Sequence, residues 1–141
     1  MVETIEQRIV TEHTNKRTRD ELIDVMKDRG VDLVADIRLT TKFPLDGRFR
    51  PDVLKVDLEK AGIKYMRMKD LGNEFKDVRP MEESKRLYLG DAIKQKNYNE
   101  LINILSSGTV KACLICYCEP PKPCHRKWLQ EQLCTHFKSI E

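Results

Sequence analysis

Residues 110–118 form an apolar run of strand length, far too short to cross a membrane. The segment after that run constrains the fold more than any other feature of the chain. Residues 119–123 hold three prolines, which fix φ and remove backbone donors, so they read as a loop. Trp128, Leu129, Gln132 and Leu133 then recur at helical spacing. The reading is strand, loop, helix, with Cys124, His125 and Arg126 at the helix start, just past the carboxyl end of the strand. Open α/β sheets bind ligands at that position. The unpaired N–H groups and partial positive charge of a helix start favour an anion or a thiolate there.

The same alternation runs through the rest of the chain. Residues 5–10 read as a first strand, ending in the polar loop 11–15. Thr18 and Glu21 fit a capping box, Leu22, Ile23, Val25 and Met26 give a helix face, and Gly30 ends it. Residues 31–37 form a strong second strand, with Asp36 and Arg38 two apart and therefore on one face. Residues 39–50 carry Pro44 and Gly47 without a period and read as a long loop. Pro51 and Asp52 open a helix to Lys60, with Val53, Leu54 and Leu58 inward. Residues 63–68 give a third strand, and residues 70–75 a polar loop. Residues 81–93, 98–105 and 124–137 read as helices. Strands alternating with helices imply βαβ units. The expected fold is a three-layer α/β sandwich over residues 1–141, a single domain with a mainly parallel sheet of four or five strands, Rossmann-like or flavodoxin-like. Right-handed crossovers then put the strand ends on one edge. That edge gathers His13, Asp36, Arg38, the turn at residues 71–73 and residues 116–126.

Composition narrows the setting. Five cysteines is an odd number, and four of them fall between positions 113 and 124, unlike a secreted disulfide scaffold. Glu3 and Glu6 interrupt any secretory apolar run at the start. The expectation is a cytoplasmic protein without a membrane partner. The net charge of +3 permits a polyanionic partner without demanding one. Aromatic residues make up 6% of the chain, poor material for a base-stacking surface.

In order along the chain, the motifs are His13–Thr14–Asn15 after the first strand, Asp36 with Arg38 after the second, and Gly62, Ile63 and Tyr65 in the third. The turn Leu71–Gly72 comes next, and Cys124–His125–Arg126 closes the series, with Cys116 eight residues before it. In these motifs and their order the chain resembles the domain-of-unknown-function 488 (DUF488) family. It departs from that pattern at Glu12, where the family usually has Gly, and at Cys118, near a position often filled by Glu. The resemblance implies an α/β fold and a site at this edge. It implies no settled activity.

The residues themselves suggest chemistry. Cys124 at a helix start beside Arg126 is a candidate nucleophile, and His125 or His13 a candidate acid/base. The Cys–x5–Arg loop of phosphatases and rhodaneses is absent, because Arg126 follows Cys124 by two. Arg38, steadied by Asp36, and Arg126 are placed to grip an anion, with Thr14 and Asn15 beside them. The expected ligand is a phosphate-bearing small molecule such as a nucleotide, or a nucleic-acid end. One alternative is a noncatalytic nucleic-acid- or protein-binding module. Another is zinc held by Cys116, Cys118, Cys124 and His125; because zinc knuckles place their cysteine pair in a turn rather than along a strand, no cofactor is expected. Arg67, with Arg48, Arg50, Lys64 and Lys69, reads as solvated surface. Tyr65 and Tyr88 are expected to keep their hydroxyls at the surface, and Trp128 to anchor the last helix.

Overall fold

The computed structural model describes residues 3–41, 49–117 and 124–140. Its elements run α1 (Ile5–Arg8), β1 (Ile9–His13), α2 (Arg19–Asp28), β2 (Leu33–Asp36), α3 (Pro51–Lys60) and β3 (Lys64–Arg67). A 3-10 turn (Lys69–Leu71), α4 (Met81–Ala92), α5 (Lys96–Leu105), β4 (Ala112–Cys116) and α6 (His125–Ser139) complete them. The four strands form one sheet in the order β1-β4-β2-β3, and every pairing is parallel. The α/β architecture read from the sequence is therefore present, with an all-parallel sheet. No helix among the described residues is long and apolar enough to cross a membrane.

The start of the chain differs from its reading as a strand over residues 5–10. Thr4 and Gln7 form a capping box that winds Ile5–Arg8 into a helical turn, and β1 begins only at Ile9. Local hydrogen bonding there outweighs a weak apolar pattern. The second capping box forms as expected between Thr18 and Glu21. Pro51 takes the first turn of α3, and Gly62 follows that helix with φ +79°, a conformation that costs glycine little.

Side chains alternate across the strands and fill two cores. Ile9, Leu33, Ala35, Ile37, Ala112, Leu114 and Cys116 face one core, with Tyr88, Leu101, Leu129 and Leu133 of α4, α5 and α6. Val10, Val34, Tyr65, Cys113 and Ile115 face the other, with Leu22, Met26, Leu54 and Leu58 of α2 and α3. Helices thus cover both faces, as a parallel sheet requires.

The parallel strands end together. Beyond the ladder, Thr14 N–H donates to Cys116 O at 3.0 Å and Ile37 N–H to Ile115 O at 3.1 Å. The turn after β3 packs against the segment after β2. A Cβ on Gly72 would lie 2.6 Å from Leu39 Cα, so glycine is needed for this approach. Trp128 is half-buried against the first core and tilts on Tyr88 at 6.1 Å, an anchor for α6 as expected.

Candidate functional site at the carboxyl edge

The carboxyl edge carries two polar clusters, one on each face of the sheet, with Ile37 between them. On the α6 face lie Cys116, Cys124, His125 and Arg126, all buried. Cys116 is the last residue of β4. Cys124 is the N-cap of α6 and makes no side-chain cap bond. The Sγ atoms of Cys116 and Cys124 are in direct contact, and their Cα atoms are 7.9 Å apart.

His125 is held from both sides of its ring. Nε2 donates to the carbonyl oxygen of Ile37 at 2.9 Å. A carbonyl can only accept, so the proton is on Nε2 and Nδ1 keeps its lone pair. That lone pair faces Cys124 Sγ at 3.6 Å. Burial, assisted by the Arg126 charge, pushes the imidazole down to about 4, and the Ile37 carbonyl opposes that shift only in part. The ring is therefore neutral at neutral pH. Its Nδ1 can accept the Cys124 proton, or bind a metal.

Arg126 reaches Cys116 rather than Cys124, with Nη1 donating to Cys116 Sγ at 2.7 Å. Sequence proximity alone puts its charge beside the Cys124 thiol. The helix instead turns the side chain back over the strand, as long helical side chains do. His13 sits beside Cys116 in register on the same face, and its Nδ1–H donates to Asn15 O at 3.1 Å.

On the opposite face Asp36 and Arg38 form the expected pair. Arg38 Nε and Nη2 grip the two Asp36 oxygens at 2.8 and 2.6 Å, and Nη2 also donates to Phe49 O at 2.7 Å. Burial alone would lower the Arg38 guanidinium, but the Asp36 carboxylate outweighs it and holds it above its ordinary value. Two residues read as surface groups belong to this cluster. Tyr65 donates its hydroxyl to Asp36 Oδ2 at 2.6 Å, and burial beside that carboxylate pushes its ionisation up. Arg67 is half-buried and donates to Asp36 O at 3.0 Å; burial holds its guanidinium below the usual value, with the Arg38 charge adding to the effect.

Tyr88 is the second tyrosine whose hydroxyl is not at the surface. It is buried, donates to Leu71 O at 2.6 Å, and meets the His125 ring edge-on at 5.3 Å. It ties the Leu71–Gly72 turn to the thiol cluster. The expectation of a surface hydroxyl fails because the Leu71 carbonyl, a tertiary partner, accepts its hydrogen bond inside the core.

The edge thus brings His13 and Thr14 beside Cys116, with Asn15 against the His13 ring, and groups Cys124, His125 and Arg126 with Cys116. Asp36 and Arg38 reach the same edge but not the same face. Cys118 lies outside the described residues, as do the loop at 119–123 and the middle of the loop at 39–50. Neither curated proteins nor solved structures gave a match to the chain. The family model described as domain of unknown function DUF488 matches residues 18–133, which take in β2, β3, β4 and all but the first of the motifs, so the chain belongs to the DUF488 family.

Proposed function

We propose that the carboxyl edge binds an anionic, phosphate-bearing ligand, a nucleotide or a nucleic-acid end. One observation carries this reading. Two buried donors, Thr14 Oγ1 and Arg38 Nη1, end at this edge with no hydrogen-bond partner among the described residues. Buried polar atoms are rarely left unpaired, and donors of this kind call for an acceptor.

The charge balance supports the same ligand. The strands bring two carboxylates toward this edge, and guanidinium groups already hold both. Arg17 and Arg29 bridge Glu12 at 2.6 and 2.5 Å, and Arg38 grips Asp36. With Arg67 and Arg126, cationic groups outnumber the carboxylates they meet, which favours an incoming anion. The first turn of α6 carries no acidic residue to compete with it.

Calorimetric titration with inorganic phosphate and a 5′-mononucleotide tests the reading. Binding should weaken with salt, and Thr14→Val and Arg67→Gln should each weaken it at least fivefold while the chain stays folded. No binding at millimolar ligand, or variants that bind like the parent chain, would overturn it.

A further inference from the structure

The thiol cluster has a feature that an anion site does not use: its donor atoms converge. Cys116 Sγ, Cys124 Sγ and His125 Nδ1 all lie within 4.8 Å of one another, and all three residues are buried. We propose that this cluster is a metal site, in which the two thiolates and the imidazole Nδ1 hold a divalent cation of the zinc class. The inference stands on the geometry of the cluster and not on the phosphate reading of the edge.

The donor set suits such an ion, since thiolate and imidazole together select zinc over the hard cations. The sulfur–nitrogen separation suits it as well. Zinc–sulfur and zinc–nitrogen bonds set a tetrahedral sulfur–nitrogen edge of about 3.5 Å. The separation of Cys124 Sγ and His125 Nδ1 is 3.6 Å.

The outer partners are those that metal sites use. A metal-bound histidine donates its other ring N–H to a carbonyl or carboxylate, which fixes the tautomer and aims the lone pair. Ile37 O does this for His125. Arg126 Nη1 against Cys116 Sγ is a charged donor on a sulfur, the contact that stabilises a thiolate.

Backbone spacing separates this reading from a simple disulfide. A relaxed disulfide joins Cα atoms up to roughly 7 Å apart. Cys116 and Cys124 are 7.9 Å apart at Cα, beyond that reach; a metal bound to both would move the touching sulfurs apart, and the Cα spacing leaves room for that. The charges also close. Two thiolates neutralise a dication, so the buried centre carries no net charge of its own, and loading it releases two thiol protons to solvent. Two core cysteines and a hydrogen-bonded core histidine would account for the burial. They would not account for three donor atoms meeting, or for a guanidinium turned onto one sulfur.

The test uses the full chain, purified without chelator or metal-affinity resin from zinc-supplemented medium. Elemental analysis should find close to one zinc per chain. Cobalt(II) added to the zinc-free protein should give a thiolate-to-metal charge-transfer band. Cys124→Ser and His125→Gln should lower zinc affinity at least tenfold, and Cys113→Ser and Cys134→Ser should not change it. If the ligand variants do not fold, the cobalt spectrum of the parent chain still decides. Less than a tenth of an equivalent of zinc, with no thiolate band at saturating cobalt, overturns the inference. A chain that binds no zinc but takes up phosphate overturns this inference alone. A zinc-loaded chain that ignores phosphate overturns the anion reading alone.

Discussion

His125 Nε2 donates to the carbonyl oxygen of Ile37, 2.9 Å away, and this bond joins the first residue of α6 to the residue that follows β2. It also fixes which ring nitrogen faces Cys124. Ile37 stands between the two polar clusters, with Cys116, Cys124, His125 and Arg126 on one face and Asp36, Arg38 and Tyr65 on the other.

This arrangement makes stability depend on pH in a defined direction. Burial holds folded His125 down to about 4, against 6.5 for an ordinary histidine. Between those values the unfolded chain binds a proton that the folded chain does not, so stability rises with pH across that window. Above 6.5 the contribution is flat; as pH falls it becomes destabilising, reaching about 3 kcal/mol near pH 4. Urea unfolding of the chelator-treated, metal-free chain between pH 4 and 7 should show this slope, and His125→Gln should flatten it. Equal slopes in both chains would contradict the buried, neutral ring.

The Asp36–Arg38 pair should behave as a buried ion pair. Asp36→Ala strands a guanidinium that is 2% exposed, and should cost about 3–5 kcal/mol in urea unfolding. Tyr65→Phe removes one hydrogen bond to the same carboxylate and should cost only about 1–2 kcal/mol. A tyrosine change as damaging as the aspartate change would mean that the hydroxyl, not the guanidinium, holds Asp36.

Two glycines should respond in opposite ways to alanine. Gly72→Ala forces a methyl onto the Leu39 backbone and should destabilise by about 1–3 kcal/mol. Gly90 lies inside α4, where a Cβ meets nothing within 4 Å, so Gly90→Ala should stabilise by about 0.5–1 kcal/mol. Thermal melts of both variants read the two signs directly.

Thiol accessibility should track the metal. In zinc-loaded protein at neutral pH, alkylation should spare Cys116 and Cys124 until a chelator is added, when their labelling should rise at least fivefold. Cys113 should stay unlabelled throughout, because burial pushes its thiol up and closes access. Mass mapping of the labelled peptides checks this. Labelling of the pair that ignores chelator would contradict metal protection.

Much of this was legible in the sequence, and the reasons are physical. Period and punctuation placed β2, α3, β3 and α6 to within a few residues, because Gly30, Pro51 and Gly62 mark real boundaries. The Asp36–Arg38 pair followed from strand alternation alone. Other features depend on tertiary contacts that no periodicity records. Residues 5–8 are helical because one capping box outweighs a weak apolar run. Tyr65 and Tyr88 bury their hydroxyls because each finds an acceptor, Asp36 Oδ2 or Leu71 O, on a neighbouring strand end or turn. Neighbouring positions at one edge also do not ensure one face. Asp36 and Cys116 reach the same rim on opposite sides because the strand pleat sends them apart.

The measurement that bears most directly on the carboxyl-edge reading is a backbone amide NMR titration with inorganic phosphate. The largest shifts should fall at residues 13–15, 37–39 and 124–127, where the strand ends meet the start of α6, and should saturate together. A different edge offers the contrast: a cavity of about 350 Å³ lined by Arg8, Asp32, Thr109 and Lys111. Shifts that cluster there, or no shifts at all, would contradict an anion site at the carboxyl edge.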